Sequence, residues 1–161
     1  AGLKILGNFK TMMKKPIWDR PVVPHKMSSD FGDAILQPEE RKKDNPAPDA
    51  FFYDYPRLCF HADASWHASL TDLYYEYLPE DSDSFRLLDM MSSWVSHLPT
   101  NRTYSRVDGI GLNREELAKN PQLDFFSVRD LNADPALPFP DGAFDAVVCA
   151  LSVQYLMYPE R

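Results

Sequence analysis

Apolar residues follow two different periods along the second half of the chain. Short apolar runs at 85–91, 106–112, 124–128 and 144–150 read as four β-strands. Before them, five apolar residues recur at helical spacing and predict an amphipathic helix over 65–78 that covers one sheet face: Leu70, Leu73, Tyr74, Tyr77 and Leu78. Strands that alternate with helices are typical of an α/β fold with a parallel sheet. The first strand is expected to run into a tight turn and a helix at 92–94.

The first third of the chain has a different pattern, because prolines are concentrated there and proline disfavours packed helices and sheets. We therefore predict an extended arm over 1–50, followed by an α/β domain over 51–161. Within 1–15, apolar residues recur at helical spacing, and the charged residues between them are lysines, without any acid. This pattern predicts a short amphipathic helix. That helix would lie on a membrane surface, in the groove of a partner or on its own domain.

Composition excludes several classes of function. The chain has 161 residues and a formal net charge of -7, which argues against general affinity for nucleic acid or anionic lipid. Its two cysteines do not suggest a disulfide framework, and the apolar surroundings of Cys149 predict a core residue. The aromatic block at 51–77 is interpreted as core rather than as a base-stacking platform, because its spacing follows the helix.

The segment around the fourth strand carries a family resemblance. Leu137 to Val148 read LPFPDGAFDAVV and follow Asp130, and this run is similar to the "D…LPFPDGSFDAVV" run of class I S-adenosylmethionine-dependent methyltransferases of the small-molecule type. The resemblance covers about 52–161. It implies an incomplete Rossmann-like methyltransferase sheet of about four parallel strands, which binds its ligand at the carboxyl ends of the strands.

The resemblance also implies where S-adenosylmethionine would bind. In the family, the first strand ends in an acid and a glycine-rich turn. Here Asp89 is present, but the turn has no glycine and contains Ser92 and Ser93 instead. Small serine side chains would substitute in part for glycine beside the cofactor. The run SSWVSHLP at 92–99 is similar to that of a plant, algal and cyanobacterial branch of the family.

Three further residues have alternative interpretations. Gly111 occupies the place of the family's ribose-binding acid, so Asn113 would either bond the ribose or cap a helix at 114–120, and the cap is favoured. Asp130 matches the acid near the adenine amino group, or it shapes a turn. His97 is interpreted as a helix-end residue rather than as a base or a magnesium ligand, and no metal is assigned.

These observations support two hypotheses about function. The first is a methyltransferase-derived domain that is non-catalytic as this fragment and serves as a structural or linker subunit of a larger assembly, such as a plastid photosystem–antenna complex. Its protein partners would bind through the arm and through the open edge of the fourth strand. The alternative is an active methyltransferase whose second half follows Arg161. A plastid location follows from the first hypothesis, and otherwise the location is cytoplasmic.

Overall fold

The computed structural model describes residues 36–159 of the chain. All of these residues belong to one compact unit. The predicted N-terminal helix and most of the predicted arm lie outside the described residues. Within 36–50, Arg41 Nη1 donates to Met157 O at 2.5 Å, so this stretch packs against the end of the domain. The boundary at residue 50 stays a prediction.

Four parallel strands form one sheet in the order β3-β2-β1-β4: β1 (Ser82–Met90), β2 (Tyr104–Gly111), β3 (Phe125–Val128) and β4 (Ala146–Val148). The chain moves outward from β1 to β3 and then returns to the other side of β1. The strand order therefore reverses beside β1, and such a switch point opens a crevice at the carboxyl ends of the strands. The predicted incomplete Rossmann-like sheet is confirmed.

Three α-helices accompany the sheet within 36–159: α1 (Asp49–Phe52), α2 (Ala64–Tyr77) and α3 (Arg114–Lys119), followed by a 3₁₀ turn at Val153–Tyr155. Asp63 caps α2, because its Oδ1 accepts from Trp66 N at 2.8 Å. The predicted helix over 65–78 is thus confirmed to within one residue. It buries Tyr74 and Leu78 against Leu87 and Val107 of the sheet.

The two longer helices cover the same face of the sheet. Leu117 of α3 lies beside Gly111, and Leu123, which follows α3, lies beside Gly109. Successive residues of a strand point to opposite faces, so the two glycines lie on the same face of β2. On that opposite face, Val147 is 54% exposed. Asp145 joins β4 to β1, because its Oδ2 accepts from the backbone N of Arg86 at 2.8 Å.

Two expectations from the sequence are wrong. No helix follows β1: residues 91–103 form a loop, because Met91 and His97 adopt left-handed backbone angles (φ 57° and 58°) that interrupt a right-handed helix. The aromatic block is not mainly core either, since only Tyr74 is buried. Phe51, Phe52, Tyr55, Phe60 and Tyr75 are all exposed. Two of these rings lie in α1, two in the loop before α2 and one on the outer side of α2, so most of the block does not belong to the predicted helix.

Candidate functional site

A cleft of about 940 Å³ opens at the carboxyl ends of the strands, where the strand order reverses. Its volume is within the range of small-molecule sites. All five residues that the sequence singled out for the cofactor line this cleft: Asp89, Ser92, Ser93, Asn113 and Asp130. The structure therefore brings them together, although they come from three separate segments of the chain.

Asp89 lies in β1, one residue before the strand ends, in register with Gly109 of β2 and Val148 of β4. Only 5% of the residue is exposed, and its Oδ2 accepts from Ser92 Oγ at 2.6 Å. Burial raises the pKa of Asp89 from 3.8 to about 6, while hydrogen bonds from Ser92 and Ser96 oppose that rise. This carboxyl group changes charge close to neutral pH.

The loop after β1 is fixed by polar contacts to the neighbouring elements. Ser92 N donates to Ile110 O at 2.6 Å, and Ser93 Oγ donates to Glu116 Oε2 at 2.6 Å. The other oxygen of Glu116 accepts from Arg57 N at 2.6 Å, so this buried carboxylate joins three segments. The sequence did not reveal this role of Glu116, because an acid in the first turn of a helix is already explained by its favourable interaction with the helix dipole.

The end of β2 has no room for a side chain at residue 111. A Cβ atom on Gly111 would lie 2.2 Å from Ser92 O and 3.1 Å from a methyl carbon of Leu117. Glycine permits this close approach of two backbones. The loop after β1 thus fills the position at which the family resemblance expects the ribose-binding acid.

Asn113 caps α3, as the sequence favoured. Its Oδ1 accepts from Glu115 N at 2.9 Å and from Glu116 N at 3.0 Å. Its Nδ2 donates to Tyr53 O at 2.7 Å, which holds the segment before α2 over the end of β2. Both ends of the Asn113 amide therefore have partners within the protein.

Asp130 shapes the turn after β3. Its Oδ1 accepts from Asn132 N at 2.9 Å and from Ala133 N at 3.3 Å. The side chain of Asn132 then accepts from Met157 N at 2.7 Å and donates to Asp49 Oδ2 at 2.9 Å. Asn132 therefore connects the turn after β3, which lines the cleft, to one segment earlier in the chain and to one later. Nothing in the local sequence predicted this connection, because its partners are distant along the chain.

Strained backbone and aromatic rings concentrate at the cleft. Among the described residues, the three non-glycine residues with positive φ are Met91, His97 and Leu151, and all three line it. Left-handed angles in bulky residues persist only where surrounding contacts impose them, and they concentrate at functional sites. Four of the rings that line the cleft are linked by ring contacts to one another and to the adjacent ring of Trp66. We name these five rings the ring cluster: Phe60, Trp66, His67, Trp94 and His97.

The cysteines and acids do not form another site in the described part of the chain. Cys59 and Cys149 are both free; Cys149 is only partly buried, so its assignment to the core was too strong. Across 36–159, no group of three or more histidine, cysteine or acidic side chains is arranged to hold a metal ion. None of the helices within that range is long and apolar enough to cross a bilayer.

Comparison with known proteins finds a family resemblance over part of the chain. Residues 92–161 match the family model of a methyltransferase domain. No curated protein and no solved structure matches the chain. The matched segment includes the loop after β1, strands β2 to β4 and the turn at Asp130. The match supports a class I S-adenosylmethionine-dependent methyltransferase-like family, in agreement with the four-stranded parallel sheet.

Proposed function

We propose that this methyltransferase-derived domain does not bind S-adenosylmethionine in the manner of its family and serves as a non-catalytic structural subunit. The observation that carries the proposal is the closed position at Gly111, where the carbonyl of Ser92 lies 2.2 Å from an added Cβ. A carboxylate for the ribose hydroxyls cannot be placed there unless the backbone of the loop moves. The ribose therefore lacks its expected partner.

The other candidate residues also fit an internal scaffold better than the cofactor. Ser93 is hydrogen-bonded to Glu116, and Asn113 uses both ends of its amide within the protein. Asp130 accepts from two backbone amides of its own turn. Asn113 is buried, so a cofactor bound to its amide would have to displace these bonds, at about 1–3 kcal/mol for each buried group left unpaired. We therefore assign no chemical step to S-adenosylmethionine in this cleft.

Calorimetric titration tests the proposal directly. The full chain is titrated with S-adenosylmethionine and, separately, with S-adenosylhomocysteine, and we expect no saturable heat with either compound. Thermal unfolding in the presence of each compound provides a second readout, because a ligand at 100 times its Kd stabilises a protein by about 2.7 kcal/mol. Saturable binding in the micromolar range would overturn the proposal.

A second candidate function, an active small-molecule methyltransferase, is favoured by one observation. The cleft of about 940 Å³ lies at the switch point of the sheet and is lined by all five candidate residues, including the buried Asp89. A cleft of this size would hold an adenosyl cofactor in a different pose. This candidate requires micromolar binding together with formation of S-adenosylhomocysteine, whereas binding without product would support a regulatory ligand instead.

The structural role would use the free edge of β4. Among the described strands, β4 pairs only with β1, so its other edge has no partner strand there. Val147, on the sheet face opposite the two longer helices, is 54% exposed beside that edge. Unpaired strand edges are templates for pairing with another segment. The proposed host is a plastid assembly, and contact of residues 1–15 with a membrane surface belongs to the same proposal. Native electrophoresis tests it: co-migration with a pigment-bearing complex would support it, and migration as a free chain would contradict it.

A further inference from the structure

The ring cluster has a polar group that its internal contacts leave unused. Trp94 Nε1 donates to Cys59 O at 3.2 Å, and His67 Nε2 lies 2.9 Å from Ala62 O. Thr71 Oγ1 donates to the backbone O of His97 at 3.0 Å, which helps to hold that residue in place. In the described part of the chain, no hydrogen bond is formed by either ring nitrogen of His97.

The position of His97 is imposed by its surroundings. Its ring stacks on His67, with centroids 4.4 Å apart and planes 20° apart, and its backbone has a φ of 58°. Burial, together with the neighbouring His67, lowers the pKa of His97, so the imidazole is neutral at pH 7. A neutral imidazole has one nitrogen that accepts a hydrogen bond and one that donates.

One of the neighbouring rings is exposed to solvent. Phe60 is 59% exposed, and its ring lies 4.9 Å from those of Trp94 and His67. Phe60, Trp94 and His97 all line the cleft. Aromatic faces favour a flat aromatic partner in stacked or edge-to-face contact, which is worth about 0.5–1.5 kcal/mol beyond the area that is buried.

We propose that this end of the cleft binds a planar aromatic molecule that carries a hydroxyl group, with its ring against Phe60 and Trp94 and its hydroxyl hydrogen-bonded to His97. A carboxylate ligand is disfavoured, because a neutral imidazole offers it no charge. The inference goes beyond the proposed function, since it requires neither the adenosyl cofactor nor methyl transfer. It gives the domain a small-molecule ligand of its own.

The test uses 2-naphthol and 2-methoxynaphthalene as a matched pair of probes, because the methyl ether keeps the two rings but cannot donate. Binding to the full chain is followed by the quenching of tryptophan fluorescence. We expect 2-naphthol to bind about 5- to 10-fold more tightly, the usual value of one hydrogen bond. Equal affinity of the two probes, or no saturable binding of either, would overturn the proposal.

Two variants, each with a matched control, separate the roles of the residues. Phe60→Ala should weaken both probes about 5-fold or more, while Phe51→Ala, which removes another exposed ring outside the cleft lining, should change neither. His97→Asn should abolish the preference for 2-naphthol, and asparagine tolerates the left-handed angle, so the loop is kept. His61→Asn, at an exposed histidine of the same cleft, is its matched control.

A cationic ligand is the competing occupant, because aromatic faces also attract quaternary ammonium groups. Phenyltrimethylammonium is therefore titrated in parallel. Tighter binding of this cation than of 2-naphthol would contradict the proposal and assign the ring cluster to cation recognition. Loss of 2-naphthol binding in the control variants would contradict it as well, because the site would then not be confined to the ring cluster.

Discussion

Replacing Asp89 by asparagine should stabilise the protein, and more so at high pH. The buried carboxyl has a pKa of about 6 in the folded chain against an ordinary value of 3.8. A group whose pKa is higher in the folded than in the unfolded chain stabilises the fold when it is protonated. This stabilisation is fully present below pH 3.8 and is lost as the pH rises through 6. At pH 8 the shift therefore lowers the free energy of unfolding by about 3 kcal/mol, because each pKa unit is worth 1.36 kcal/mol.

Asp89→Asn removes this titration while its amide oxygen still accepts from Ser92 Oγ. The difference in unfolding free energy between variant and wild type should therefore grow by roughly 2 kcal/mol between pH 4.5 and pH 8. Urea denaturation at several pH values measures it. Asp83→Asn, at an exposed position on the same strand, is the matched control and should show no such growth. A difference for Asp89→Asn that does not vary with pH would refute the reasoning.

Three further predictions concern the backbone around the cleft, and each is measured by urea denaturation. Gly111→Ala should destabilise by about 3 kcal/mol, because a backbone carbonyl blocks the new methyl group, and Gly109→Ala by less, because only a leucine side chain must move; equal costs would contradict the close approach. Leu151→Gly should stabilise by about 0.5–1 kcal/mol at its φ of 56°, and a loss of stability there would contradict the strain. Asn113→Ala should cost about 1–2 kcal/mol, whereas a neutral result would mean that the cap is dispensable.

The sheet could be predicted from the sequence because its signals are local. Alternating apolar runs located β1 to β4 to within a few residues, and the motif at 137–148 fixed the turn before β4. There, Gly142 adopts a φ of 68°, and the rings of Phe139 and Phe144 pack 4.7 Å apart. Asn113 was identified as a cap for the same reason, since a cap and its helix are adjacent in sequence.

The contacts that assemble the cleft could not be predicted in the same way. Glu116 connects the loop after β1 to Arg57, which is 59 residues away, and Asn132 reaches Asp49 across 83 residues. The helix expected after β1 is absent because Met91 and His97 adopt left-handed angles, which are uncommon in residues other than glycine. Such angles arise from tertiary contacts, which a local pattern does not encode.

The position of β1 between β2 and β4 has a consequence for the order of folding. Contacts within the β1–β2 and β2–β3 pairs close short segments, as in Thr103 with Asp81 across 22 residues and Val107 with Asp124 across 17. The β1–β4 pair must close a longer segment, since Arg86 and Asp145 are 59 residues apart. Longer loop closure costs more entropy and slows the search. We expect the cleft to be the last part of the sheet to assemble, so that a chain interrupted during folding would carry β1 with one side still unpaired.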